Sequence, residues 1–175
     1  NEQIDTGAVL LQKEVSIGED YNAGILHDIL LKLGAPLIIK TIEGIFSRSL
    51  NAIRQQISGQ EKEAPKLTTQ NTRLDWTLQI EQIHNKINGL SPNPGAWTVI
   101  KNKGEKGRMK LFKTKIVTSL PNESINKIVV KHGEILIVTK GGYLNCIELQ
   151  LPNKKRMTAS ALLNGYSFDE NATVL

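Results

Sequence analysis

The chain has 175 residues, 39% of them hydrophobic and 22% charged, with 22 Lys and Arg against 17 Asp and Glu for a net charge of +5. This is the composition of a soluble, core-forming chain about one domain long. The single cysteine, Cys146, excludes an internal disulfide framework and a multi-cysteine zinc site and makes the reducing cytoplasm the expected setting, while no apolar run approaches the roughly 18 residues of a membrane span.

The sequence opens on Asn1 with no initiator Met and no cationic segment leading into an apolar one. No signal peptide is expected, therefore, and a fragment of a longer protein is. Residues 9–17 (VLLQKEVSI) are β-branched and apolar, with Val9, Leu11, Val15 and Ile17 on one parity, which predicts an edge-like strand or two short ones. Gly18-Glu19-Asp20 makes a turn. A helix is predicted over 23–33, ended by Gly34, and a second over 36–46, because Pro36 in a first turn lacks a donor that has no intrahelical partner there. A strand and two helices are the tail of an α/β unit, and a lone strand is not stable. Val9, Leu11, Ile25, Leu26 and Leu30 are expected to be exposed, promoting self-association. Residues 47–72 turn polar and read as a linker or extended crossing segment, in which 51–57 is compatible with a helix.

A helix over 77–88 is predicted from Ile80, Ile83, His84 and Ile87, which recur on one face, with Gly89 closing it. Strands follow over 96–101, 108–118, 125–131, 134–139 and 143–151, with turns at Gly104, Gly107, Pro121, Gly133 and Gly141-Gly142. Five short strands in this span suggest a small antiparallel barrel. The segment 158–163 (TASALL) reads as a short capped helix and the tail SFDENATVL as loose.

Charge is unevenly distributed: residues 1–100 carry nine Lys and Arg against eleven Asp and Glu, and residues 101–175 carry thirteen against six, so the two parts stand at −2 and +7. Lys101, Lys103, Lys106, Arg108, Lys110, Lys113 and Lys115 crowd one hairpin with only Glu105 among them, and Lys154, Lys155 and Arg156 follow near the end. Such a surface can track a phosphodiester backbone. The same residues also fit a solvated lysine-rich edge that blocks strand addition. Aromatic residues in the basic zone are few, with Phe112 and Tyr143 as candidate stackers, so recognition of a folded RNA by backbone and shape fits better than splayed bases. His27, His84 and His132 are scattered without metal-ligand spacing, and His84 is expected to be a half-buried packing residue. Asp5-Thr6-Gly7 alone is a common turn.

Several landmarks follow one another in the chain: Ile4-Asp5-Thr6-Gly7, Leu26-His27-Asp28 through Lys32-Leu33-Gly34, Ala64-Pro65-Lys66-Leu67, Arg73-Leu74-Asp75-Trp76, Ile87 through Pro92, Pro94-Gly95-Ala96-Trp97, and Leu149-Gln150-Leu151 with Lys154-Lys155-Arg156-Met157. In this order and spacing the sequence resembles the methionyl-tRNA formyltransferases. The resemblance implies an α+β chain. Residues 1–46 would be the end of a doubly wound catalytic domain, 47–70 a linker, and 71–175 an OB-like five-stranded barrel that binds initiator methionyl-tRNA. It further implies transfer of a formyl group from the co-substrate 10-formyltetrahydrofolate to the methionyl α-amino group, without a metal, by a monomeric full-length enzyme that is not bound to membranes. Asp5 matches the family's catalytic Asp, with Thr6 and Gly7 at the folate loop, whereas the partner Asn and His find no match in this chain. On its own the polypeptide is expected to be inactive. The tRNA contacts would come from Lys101, Lys103, Lys106, Arg108, Lys110, Lys154, Lys155 and Arg156. Two alternatives are a sugar-nucleotide formyltransferase of the same superfamily, which has no use for a basic hairpin, and a stand-alone basic nucleic-acid-binding module, which has no use for an α/β tail.

Overall fold

The computed structural model describes residues 4–56, 59, 62 and 64–175. Asn1, Glu2 and Gln3, before the Asp-Thr-Gly turn, and Ile57, at the end of the helix-compatible stretch, lie outside the described residues. The chain divides into two compact units, one of Asn1–Tyr21 with Ile25–Lys66 and the other of Asn22–Gly24 with Leu67–Leu175.

The first unit is built on one helix, α1 (Ala23–Phe46), which belongs to it from Ile25 onward and is flanked by extended chain. The two helices expected here are a single one. Gly34 does not take a left-handed conformation that would cap a first helix, and Pro36 sits inside α1, where it removes the hydrogen bond to the Lys32 carbonyl at a cost of about 3 kcal/mol without ending the helix. The expected strand over 9–17 is also absent. A strand exists only through its ladder, and among the described residues this segment has one bridge: Val9 exchanges both backbone hydrogen bonds with Ile53, at 2.8 and 2.9 Å. That bridge holds residues 51–56 extended rather than helical. Leu50 closes over the end of α1, its Cγ 2.5 Å from where a Cβ on Gly44 would stand. Gly44 is the one buried residue of α1, and Ile25, Leu30, Leu31, Ile38, Ile39 and Phe46 are exposed.

The second unit is an antiparallel, nearly closed, barrel-like sheet with a helix against it. Asp75 accepts both the Thr77 backbone N–H (2.9 Å) and its hydroxyl (2.7 Å), so the chain makes a side-chain-closed turn where a first helical turn was expected. The hydroxyl of Thr77 is also the main reason the Asp75 carboxyl titrates below its usual range. Helix α2 (Ile80–Leu90) starts after it, capped by reciprocal Gln79 and Gln82 contacts, and buries Ile80, Ile83, Ile87 and Leu90. Gly89 lies inside α2 rather than ending it.

The sheet comprises β1 (Ala96–Asn102), β2 (Glu105–Val117), β3 (Ile128–Lys131), β4 (Glu134–Thr139), β5 (Gly142–Gln150), β6 (Met157–Thr158) and β7 (Thr173–Val174). Its path is β3-β4-β5-β2-β1-β7, with β6 beside β5. The five strands read from the sequence are present, and two short ones join them. Lys103-Gly104 and His132-Gly133, all at positive φ, make the two-residue turns that match strand twist. The core centres on Met109, Leu111, Ile135, Ile137, Leu144, Cys146 and Leu149.

Helix α3 (Ala159–Leu163) is capped as expected by the Thr158 hydroxyl, which accepts the Ala161 N–H. The tail after it is not loose. Tyr166 and Phe168 pack edge to face and β7 joins the sheet, with Ala172 and Val174 fully buried.

Candidate nucleic-acid interface

Alternation along β1 turns Ala96, Thr98, Ile100 and Asn102 inward and leaves Trp97, Val99 and Lys101 on the outer face. On β2, Lys106, Arg108 and Lys110 share that face, Lys106 directly opposite Lys101 and Lys110 opposite Trp97. A bulge then intervenes: Leu111 pairs with Leu149 but Lys113 pairs with Glu148, so Phe112 is an extra residue, and Ile147 is a second one on β5 before Thr114 meets Cys146. One extra residue inverts the side-chain phase of a strand. Lys113 and Lys115, of opposite parity to Lys106–Lys110, therefore also point outward, while Met109, Leu111 and Thr114 point inward.

The loop after β5 lies against this hairpin. Pro152 Cγ is 3.2 Å from where a Cβ on Gly107 would stand, and the Gln150 side chain, on the strand position opposite Lys110, donates to the Lys154 carbonyl at 2.9 Å. Lys154 and Lys155 are exposed there. The structure thus brings Lys101, Lys106, Arg108, Lys110, Lys154 and Lys155 to one region. Two other cations are committed elsewhere. Lys103 donates from Nζ to Ser167 (2.7 Å) and from its backbone N–H to Asp169 (2.6 Å). Arg156 donates from Nε (2.8 Å) and Nη2 to Glu148 and lies over the Phe112 ring.

Neither Phe112 nor Tyr143 is open to stack a base. Both are buried, and the Tyr143 hydroxyl donates to Glu123 at 2.5 Å. The aromatic residue on the cationic face is instead Trp97, which the sequence reading passed over because it precedes the lysine run. Its parity with Val99 and Lys101 is the signal that places it outward. Its indole N–H donates to the Thr69 carbonyl at 2.8 Å, and its ring carries the Arg108 guanidinium 3.8 Å from the centroid, with that of Arg73 at 5.6 Å.

In the first unit, Asp5 is exposed with φ 61°, and the Gln55 side-chain amide donates to the carbonyls of Asp5 (2.9 Å) and Gly7 (2.7 Å). Thr6 is half-buried, and a Cβ on Gly7 would meet open space. These three residues make a partly exposed turn and do not by themselves enclose a cavity. His84 is half-buried, hydrogen-bonded to Thr114 (2.8 Å) and Asn88 (3.0 Å), as expected of a packing residue. Among the described residues, no three His, Cys, Asp or Glu side chains gather as a metal site, and no helix is long and apolar enough to cross a membrane. Burial pushes the Cys146 thiol up to about 12.

Beside β3, the ammonium of Lys131 at 2.7 Å and the Tyr143 hydroxyl hold the Glu123 carboxyl down from 4.5 to about 2. A depressed carboxylate stabilises the fold above its unfolded pKa, and that contribution is lost as pH falls through the folded value. Glu123→Gln is expected to lower the urea midpoint at pH 6. The gap to the parent should narrow at pH 4 and again at pH 3; a gap that stays constant across this range would show that the ion pair does not feed into stability.

Residues 66–167 match the family described as formyl transferase, C-terminal domain. The chain is 37% identical over 174 residues to methionyl-tRNA formyltransferase of Flavobacterium johnsoniae, covering 99% of this chain and 55% of that protein. It is 38% identical over 169 residues to that of Clostridium botulinum, covering 96% and 53%. The chain thus spans about half the length of these curated relatives. Among solved structures, it resembles HypX from Aquifex aeolicus in complex with tetrahydrofolic acid, with TM-score 0.64, 16% identity, and coverage of 97% of this chain and 30% of that one. The N-formyltransferase from Helicobacter canadensis, in complex with folinic acid and dTDP-3-aminofucose, gives TM-score 0.59 at 17% identity, covering 83% and 52%. At these identities the two structures speak for the fold alone.

Proposed function

The chain belongs to the formyl transferase C-terminal domain family, and we propose that it is part of a cytoplasmic methionyl-tRNA formyltransferase in which the barrel holds the initiator tRNA and the rest of the enzyme carries out the transfer. Residues 1–46 then belong to the catalytic domain, 47–70 link, and 71–175 grip RNA. One observation carries this reading: the phase inversion at Phe112 gathers Lys101, Lys106, Arg108, Lys110, Lys113 and Lys115 on one face, with Lys154 and Lys155 beside it. Like charges placed opposite one another, as Lys101 and Lys106 are, cost stability. A polyanion laid along the face offsets that cost.

The parent reaction moves the formyl group of 10-formyltetrahydrofolate to the methionyl α-amino group. It requires a neutral amine aligned on the formyl carbon, a proton acceptor, and donors for the tetrahedral oxyanion. Asp5 is the residue of this chain proposed to take part, by orienting the proton acceptor, with Thr6 and Gly7 at the rim of the folate site. The openness around Gly7 leaves the walls of that site to other residues, so this chain alone is expected to transfer no formyl group.

The test is a fluorescence-anisotropy titration of the 175-residue chain with labelled initiator tRNA at increasing salt. Neutralising several phosphates gives log Kobs against log salt a slope of about −4 or steeper. Lys101→Glu, Lys106→Glu and Lys155→Glu together are expected to weaken binding by about 30- to 100-fold near 0.1 M salt, for initiator and elongator tRNA alike, because phosphate contacts carry little sequence information. Unchanged affinity in this triple variant would place the RNA elsewhere.

A further inference from the structure

We infer that Trp97 is a positioning residue that holds the Arg108 guanidinium flat, with its donor edge turned to solvent, so that Arg108 grips one RNA phosphate through two parallel hydrogen bonds. This rests on the proposed tRNA-binding reading and goes beyond it, because it singles out one cation among many as geometrically prepared.

The platform is rigid. Trp97 is tied to the segment before α2 through three hydrogen bonds: its N–H to Thr72 (3.1 Å), its carbonyl from Leu74 (2.8 Å) and its indole N–H to Thr69 (2.8 Å). Over this ring Arg108 lies 3.8 Å from the centroid. Stacking uses the π face of the guanidinium and leaves its in-plane N–H donors available. No described residue accepts a hydrogen bond from the Arg108 side chain, which is exposed.

Each neighbouring cation differs on at least one count. Arg73 is farther from the ring, and its Nη2 donates to the Leu175 carbonyl at 3.2 Å. Lys110 donates to the Pro94 carbonyl at 3.0 Å, and Arg156 is bound to Glu148. Lys101 and Lys106 are flexible point charges. Arg108 alone on this face combines an unspent planar fork with a fixed plane, and Lys106 and Lys110 flank it two residues away on either side, raising the local cation density around any phosphate it holds. A stacked, bidentate arginine cannot be replaced by lysine without loss, because an ammonium keeps the charge but neither stacks nor forks.

The experiment is the same tRNA titration on Arg108→Lys, Trp97→Phe, Trp97→Ala and the double variant Trp97→Ala/Arg108→Lys, with thermal midpoints recorded for each. Arg108→Lys is expected to weaken binding about tenfold with the salt slope unchanged, since the charge count is preserved. Trp97→Phe, which keeps a ring, should stay within about twofold of the parent. Trp97→Ala should weaken binding to the level of Arg108→Lys, and the double variant should be no weaker than either single one, because the two residues act as one device. Arg108→Lys binding like the parent, or losses that add in the double variant, would overturn the inference while leaving the steep salt dependence of the parent intact. A flat salt dependence of the parent would instead remove the tRNA-binding reading and the inference with it.

Discussion

Val174→Asp is expected to unfold the barrel, with a loss of about 4 kcal/mol or more and collapse of the urea transition in far-UV circular dichroism. Two features concentrate this effect on a two-residue strand. First, Val174 is 1% exposed and packs in the same core as Ile100 and Ile128, so a carboxylate there would be buried without a cation beside it. Second, β7 is the stave that joins the two ends of the sheet. On one side Ile100 pairs with Val174 and Lys101 with Thr173, and the Leu175 N–H reaches the Val99 carbonyl at 2.8 Å. On the other side the Ile128 N–H donates to Ala172 (2.8 Å), and the Val174 N–H to Asn126 (2.9 Å). Removing residues 172–175 should therefore free the β1 and β3 edges together and give aggregation as well as instability, because unpaired edges template pairing with other chains. A parent-like urea midpoint for Val174→Asp would mean that closure contributes little.

Gly142→Ala is expected to cost about 3 kcal/mol, roughly twice the penalty of Gly104→Ala. Both glycines hold conformations that L residues rarely adopt, with φ 152° and 82°. At Gly104 a Cβ meets nothing within 4 Å, which leaves only the left-handed penalty of about 1–2 kcal/mol. At Gly142 the Cβ would stand 2.3 Å from the Val117 carbonyl oxygen and 3.3 Å from the Thr118 Cα, both backbone atoms. Neither can swing aside as a side-chain tip would, because Val117 and Ile116 are fixed in the ladder to Tyr143 and Leu144. Chemical denaturation of the two variants side by side checks the contrast, and equal losses would show that the β2–β5 junction yields easily.

The elements that could be read from the sequence are those whose signal is local and repeated. The α2 face follows from Ile80, Ile83 and Ile87, and the central strands follow from β-branched runs between glycine turns. What could not be read depends on partners far along the chain. The tail carries no periodicity, since β7 is two residues long and has meaning only against Ile100 and Asn126. Residues 9–17 have strand-like composition, but among the described residues they bridge at Ile53 alone. At 34–36 the Gly-Ala-Pro punctuation argues for a break that the continuous apolar run on either side overrides.

The candidate interface divides in the same way. A cationic hairpin was legible in composition, but the side on which Lys113 and Lys115 fall was not, because nothing in Leu111-Phe112-Lys113 announces a bulge. Nor could sequence show that Arg156 is neutralised by Glu148, or that Lys103 is spent on Ser167, since those partners arrive through the register of β5 and the path of the tail.

Closure by β7 also sets an order in time. The step from Ile100 to Val174 pairs a strand at the start of the barrel sequence with residues more than seventy positions later. On a ribosome adding roughly 5–20 residues per second, β1 is complete about 4–15 seconds before its second neighbour exists. During that interval the hairpins can form and α2 can settle on them, but the sheet remains an open ribbon with one side of β1 waiting. Completion is a single late event, and the nascent barrel is at its most vulnerable to association with other chains just before the last stave is made.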